Sequence, residues 1–219
     1  MLYIVATPIG NLSDITLRAL ETLRKVDLIL AEDTRQTIKL LNHYQIKKPL
    51  FSFHSYTNER KLDQIKTKLK AGRIVALVTD SGTPGISDPG AKLVQAIIKD
   101  KGGDQIKILP IPGPSALTAA VSVSGFSVSK FLFLGFLPRK KGRKKLLESL
   151  NNEKRTVVFY ESPFRVKKTL AELSIILGDK EVCVCRELTK IFETIYRGRI
   201  SEVLPKIKEK GEFVVLIAY

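Results

Sequence analysis

The 219 residues suffice for one large or two small domains, and 44% hydrophobic with 27% charged residues is an ordinary globular composition. No apolar run approaches the ~20 residues that span a bilayer, and MLYIVATPIG lacks the basic start of a secretory signal, so no membrane is expected. The net charge of +15 points to a polyanion such as RNA, DNA or an acidic surface.

The first half alternates between two periods. LYIVATP reads as a strand, and Leu17, Leu20 and Leu23 follow at helical spacing, with Ser13 or Asp14 as cap. DLILAED is a second strand. The spacing predicts a helix from Thr34 to Tyr44, with Ile38 and Leu41 inward and Asp33 as cap. PLFSF is a short strand, before a helix carrying Leu62, Ile65 and Leu69, with Thr57 as cap. RIVALVTD is a strongly apolar strand, and after Asp88 a helix places Leu93, Ile97 and Ile98. KILPIPG is a fifth strand. Strands separated by helices imply a parallel sheet covered on both faces.

GPSALTAAVSVS, residues 113–124, reads as a buried connecting helix. The second half opens with the strand KFLFLGFLP. The basic run RKKGRKK starts a helix, and RTVVFYES is another strand. Ser162 and Pro163 read as N-cap and first helical residue before Val166, Leu170, Leu173 and Leu177. EVCVCREL, ETIYRGRI and EFVVLIAY are strands, and the link between the first two is too short for a crossover helix, so those two should be antiparallel. The expected division is an α/β domain over 1–112, a helix over 113–124, and a second α/β domain with a mixed sheet over 125–219. Cys183 and Cys185 fall on one face of a strand and read as buried thiols, which suits a reducing cytoplasm.

TDSGTPGISDPG, residues 79–90, is longer than a strand-to-helix turn requires. Its three glycines permit close backbone approach and its two prolines stiffen the path. TPIGNLSD, AEDTR and PIPGPSA also follow strands of the first half. Loops that follow parallel strands emerge on one edge, where open α/β sheets bind ligands, so all four should converge. The chain lacks GxxxxGK[ST] and GxGxxG, which argues against nucleoside-triphosphate and dinucleotide sites. His43 and His54 have no metal-ligand spacing, so no metal is expected; His43 reads as a surface helix residue, whereas His54 can face the ligand edge or solvent.

The loops TPIGNLSD, AEDTR, VTDSGTPGISDPG, PIPGPSA and VFYESPFR, in this order, resemble those of the tetrapyrrole (corrin/porphyrin) methylase superfamily. The resemblance runs from Met1 to Tyr219. TPIGNL and AEDTR match the branch that 2'-O-methylates a cytidine ribose of small-subunit ribosomal RNA, and set the chain apart from precorrin methylases and diphthine synthase. It implies S-adenosylmethionine held in a cleft between two α/β domains, in a homodimer. The implied cofactor contacts are Pro8, Asp80, Gly82, Thr83, Ile86, Ser87, Ser115 and Ala116, with Tyr160, Leu188 and Phe213 from the second domain. Asp80 suits the cofactor's ammonium, or alternatively forms the turn at its strand end. Members of this branch usually continue past a strand like GEFVVLIAY into a small helical segment, without which more of the RNA docking falls to the basic run.

A base is needed only late in methyl transfer to a ribose hydroxyl. Glu32, Asp33 and Glu161 are candidates, with Arg35 and Arg165 holding phosphate or orienting the carboxylates; capping by Asp33 and surface ion pairing by Arg35, Glu161 and Arg165 are the bland alternatives. Arg139, Lys140, Lys141, Arg143, Lys144 and Lys145, together with Arg165, are the expected contacts to RNA, free or in an assembled small subunit. Two other functions fit the same features: methylation of a polyanionic tetrapyrrole, and RNA binding by an assembly factor without chemistry.

Overall fold

The structure is a computed structural model that describes residues 1–219, the side chain of residue 104 apart, and it falls into two compact units, Met1–Ser115 and Ala116–Tyr219. In the first unit the strands β1 (Leu2–Val5), β2 (Leu28–Ala31), β3 (Leu50–Ser52), β4 (Val75–Leu77) and β5 (Ile108–Ile111) form one sheet in the order β3-β2-β4-β1-β5. Every pairing is parallel, as expected. The helices are α1 (Leu17–Lys25), α2 (Thr34–His43), α3 (Glu59–Lys70) and α4 (Gly90–Ile98).

The apolar runs are explained by cores on both faces of this sheet. Val5, Ile29, Ala31, Ala76 and Val78 pack with Ala19, Leu23 and Leu40 of α1 and α2. The alternate residues Leu2, Leu30, Val75 and Leu77 pack with Leu62, Ile65, Leu93 and Ile97 of α3 and α4. Helix starts differ from expectation where a nearer cap exists. Thr16, not Ser13 or Asp14, caps α1 by accepting from the Ala19 N–H, because residues 12–14 are spent in a 3-10 turn. Asn58, not Thr57, caps α3 by accepting from the Lys61 N–H. The Thr57 hydroxyl instead accepts from the His54 N–H. Asp33 caps α2 as expected. Leu17, Ile38 and Ile98 are exposed rather than inward; the stripes run instead through Ala19, Leu20 and Leu23, through Thr37, Leu40 and Leu41, and through Leu93 and Ile97.

The second unit opens with α5 (Ala116–Val123) and builds a sheet from β6 (Phe131–Phe136), β7 (Thr156–Glu161), β8 (Glu181–Arg186), β9 (Thr194–Arg199) and β10 (Phe213–Ile217). The order is β6-β7-β10-β8-β9, with β6 parallel to β7 and the other pairs antiparallel. This is the expected mixed sheet, and β8 and β9 are antiparallel as their short link requires. The helices α6 (Arg143–Ser149), α7 (Val166–Leu177) and α8 (Ile200–Val203) cover a core of Val157, Phe159, Val182, Val184, Phe213 and Val215. Cys183 and Cys185 are buried free thiols on one strand face, their sulfurs 3.8 Å apart. Helix α7 begins at Val166 rather than at Pro163, because residues 162–165 form a turn in which the Ser162 carbonyl accepts from the Arg165 and Val166 N–H groups. Among the described residues no helix is long and apolar enough to cross a membrane, and no group of three His, Cys, Asp or Glu side chains could hold a metal ion.

Candidate functional site

The four loops at the carboxyl edge of the first sheet are tied together by hydrogen bonds. The loop after β1 meets the loop after β4 through a two-residue bridge, with Thr7 N–H to Gly82 O at 2.9 Å and Gly82 N–H to Thr7 O at 3.0 Å. The buried Thr7 hydroxyl adds a bond to Thr79 O at 3.1 Å. The loop after β5 joins where the Thr83 hydroxyl donates to Pro114 O at 3.0 Å. The loop after β2 joins twice: the Thr79 hydroxyl donates to a Glu32 carboxylate oxygen at 3.0 Å, and the Asp33 N–H donates to Asp80 Oδ1 at 2.9 Å. Each tie links residues distant in sequence, so the backbone path over 79–83 is set by its neighbours.

Within that loop Asp88 does more than start a helix. Its carboxylate accepts from the N–H groups of Gly85, Ile86 and Gly90, and so closes the turn on itself. Pro89 therefore takes the cap position and Gly90 opens α4. Gly82 is left-handed at φ +81°, and a Cβ there would lie 3.2 Å from Ile9 Cγ2 and 3.5 Å from Pro114 O. Both conformation and crowding demand glycine at this crossing. Ser87 also holds a positive φ of 64°. Pro8, Thr83 and Ile86 are half-buried, Ser115 is buried, and Asp80 and Ser87 are exposed along the same edge. Ala116 is the first residue of α5.

The charge at this edge runs against that of the whole chain. Glu32, Asp80 and Asp88 make no ion pair within 4 Å among the described residues, in a protein of net charge +15. Burial raises the Glu32 carboxyl above its ordinary value, and the neighbouring Asp80 and Asp88 raise it further against the opposing hydroxyl of Thr79 and the imidazole of His54. His54, in the loop after β3, has a buried Nδ1 with no hydrogen-bond partner.

The other acid candidates are differently placed. Asp33 receives the Arg35 side chain at 2.6 Å and the Arg35 N–H at 2.9 Å, and these bonds lower its carboxyl to about 2. Asp33 and Arg35 thus satisfy each other as a capping pair. In the second unit the Glu161 side chain is fully enclosed. It accepts from the Thr169 hydroxyl at 2.8 Å and the Ser162 N–H at 2.7 Å, and pairs with Arg165 at 2.6 Å and Arg143 at 3.9 Å. The geometry departs from expectation at Glu161, an enclosed anchor rather than an open base, and at Arg143, which turns toward it; Arg165 takes the carboxylate-orienting alternative. Arg143 further donates to Glu172, Thr169 and Pro138 O, and Arg165 to Leu137 O. Of the basic run, Arg139, Lys140, Lys141, Lys144 and Lys145 remain exposed. Tyr160 is half-buried against Phe133 and Phe136, and Leu188 is buried. The Phe213 side chain lies in the core of the second unit, so only its backbone is available to a ligand.

Comparison with known proteins identifies the family and the fold. Residues 1–204 match the family of tetrapyrrole (corrin/porphyrin) methylases. The chain is 52% identical to the ribosomal RNA small subunit methyltransferase I of Thermotoga maritima, covering 99% of this chain and 97% of that one. It is 48% identical to the Bacillus subtilis protein of the same name, covering 99% of this chain and 74% of that one. Among solved structures, the methyltransferase CobJ superposes with a TM-score of 0.74 at 17% identity, over 99% of this chain and 93% of that one. Uroporphyrin-III C-methyl transferase from Thermus thermophilus, complexed with S-adenosyl homocysteine, gives 0.69 at 16%, over 99% and 96%. On this match over nearly its whole length, the chain belongs to the tetrapyrrole (corrin/porphyrin) methylase family.

Proposed function

We propose that this protein transfers a methyl group from S-adenosylmethionine to the 2'-hydroxyl of a cytidine in small-subunit ribosomal RNA. The observation that carries the reading is the tied set of glycine-rich loops with three acids that form no ion pair within 4 Å among the described residues, on a strongly basic chain. Such an edge favours a small cationic ligand, while the net positive charge of the chain favours a polyanion. The names and the family of the relatives above supply the ligand and the acceptor class.

The residues fit the cofactor. Asp80 suits its ammonium, and Gly82 and Thr83, held by Thr7 and Pro114, bring backbone close to it. Half-buried Pro8 and Ile86 supply apolar contact, with Ser87 and Ser115 completing the rim. When bound, S-adenosylmethionine supplies an electrophilic methyl carbon on a sulfonium that is already a good leaving group. The protein's remaining tasks are to hold the acceptor hydroxyl in line and to take its proton. Glu32 is the group suited to the second task, since its raised carboxyl and its want of a cation make it a stronger base than Asp33. The five exposed cations of residues 139–145 bind phosphate. The enzyme acts in the cytoplasm, which suits its two free thiols, and as a homodimer, which rests on the family resemblance.

The test is incubation with radiolabelled cofactor and small subunits from cells lacking the protein. A label that maps to one cytidine ribose and blocks alkaline cleavage there is the expected result. Label on a precorrin, or none on RNA, rejects the reading.

A further inference from the structure

Strands β6 and β7 are parallel, so both end at the same edge of the second sheet. There β6 terminates in Phe136, 58% exposed, and the turn after β7 carries Phe164, 89% exposed. The chain leaving β6 runs directly into Arg139, Lys140 and Lys141, with Lys144 and Lys145 in the first turn of α6, and all five are exposed. Only Lys144 among them has an ion pair among the described residues, a 3.8 Å contact with Glu148.

This edge is held rigidly from beneath. Arg165 donates to Leu137 O at 3.1 Å and Arg143 to Pro138 O at 3.2 Å. Both guanidinium groups end on Glu161, which is fully enclosed. The Phe136 ring rests on Tyr160, with centroids 5.3 Å apart. Because Phe164 directly precedes Arg165, and Phe136 directly precedes Leu137, one bracket positions both rings and the cations.

We propose that this edge is a binding surface for unpaired RNA, on which Phe136 and Phe164 stack with nucleobases while the flanking cations take phosphates. The inference rests on the reading of the chain as an RNA methyltransferase and adds two residues and a strand preference to it. Phosphates are presented by duplex and single strand alike, so cations alone do not discriminate. Base faces are open only in an unpaired strand, and aromatic stacking on them tolerates any sequence. Two exposed phenylalanines beside five exposed cations fit that chemistry.

The test compares the full protein with its Phe136→Leu, Phe164→Leu and double variants, which keep apolar bulk and remove the flat ring. Affinity is measured for a labelled oligoribonucleotide, unpaired and annealed to its complement, over a range of salt. Each replacement is expected to lower affinity for the unpaired strand roughly five- to hundredfold. Duplex affinity, the salt slope and cofactor binding should stay at wild-type values. Equal losses for both forms, or no loss in a protein that binds RNA, overturn the proposal. A shift in sedimentation with RNA affinity unchanged makes the face a self-association surface and likewise overturns it. A wild type that binds neither RNA form also overturns the proposal, while the parent reading stands or falls on labelling of small subunits.

Discussion

Glu32 and Glu161 occupy matching places, one just past the end of β2 and the other at the end of β7, and each leads toward a helix. Their surroundings are opposite. Glu161 is enclosed, with Arg165 at 2.6 Å, Arg143 at 3.9 Å and the Thr169 hydroxyl at 2.8 Å. Glu32 is half-buried, accepts from Thr79 at 3.0 Å, and has no cation within 4 Å among the described residues. Position at a strand end therefore does not assign a carboxylate its role; the nearest cation does. A fully paired acid anchors structure, whereas an unpaired, partly dehydrated one is available for proton transfer.

The sharpest way to break this comparison is to remove the charge of each acid in turn. Glu161→Gln takes from Arg165 its carboxylate at 2.6 Å and leaves Arg143 only Glu172, and should destabilise the protein by about 3–5 kcal/mol in chemical denaturation. Glu32→Gln should leave stability intact and lower turnover by about two to three orders of magnitude, with little change in KM. Its effect on stability follows from the direction of the shift. The folded-state value of Glu32 lies above the unfolded one, so its contribution is present below the unfolded value and lost as pH rises through the folded one. At neutral pH the ionised Glu32 therefore opposes folding, and the amide should melt no lower than wild type.

A smaller effect is expected at the loop crossing. Gly82→Ala forces a left-handed conformation costing roughly 1–2 kcal/mol and presses on Ile9, so cofactor affinity should fall about tenfold in calorimetry. Smallest at fixed salt is the change at the basic run. Lys140→Ala with Lys141→Ala should lower the salt slope of RNA binding by about 0.7–0.9 per lysine. Arg143→Lys should weaken the fold and leave that slope unchanged.

Much of this could be read from residue order alone. The apolar runs around Leu30 and Ala76 announced strands buried on two faces. The convergence of loops followed from parallel strands and was met by the bridge between Thr7 and Gly82. What escaped were facts of partnership. Arg143 is indistinguishable from Lys144 in a run of cations, yet it folds inward because Glu161, Thr169 and Glu172 receive it, residues far along the chain. The orphaned Nδ1 of His54 gave no sequence signal, since burial of one ring atom depends on packing. Exposed Ile98 misled because helical spacing alone does not say which of two adjacent apolar residues, here Ile97 and Ile98, faces the sheet.

The pH dependence of single-turnover methylation of small subunits, for wild type and Glu32→Gln side by side, tests the central assignment most directly. The wild-type rate should climb through a single ionisation above the ordinary glutamate range and level off, and the amide variant should be slow and flat across it. A variant that matches the wild-type rate and profile would show that Glu32 takes no proton.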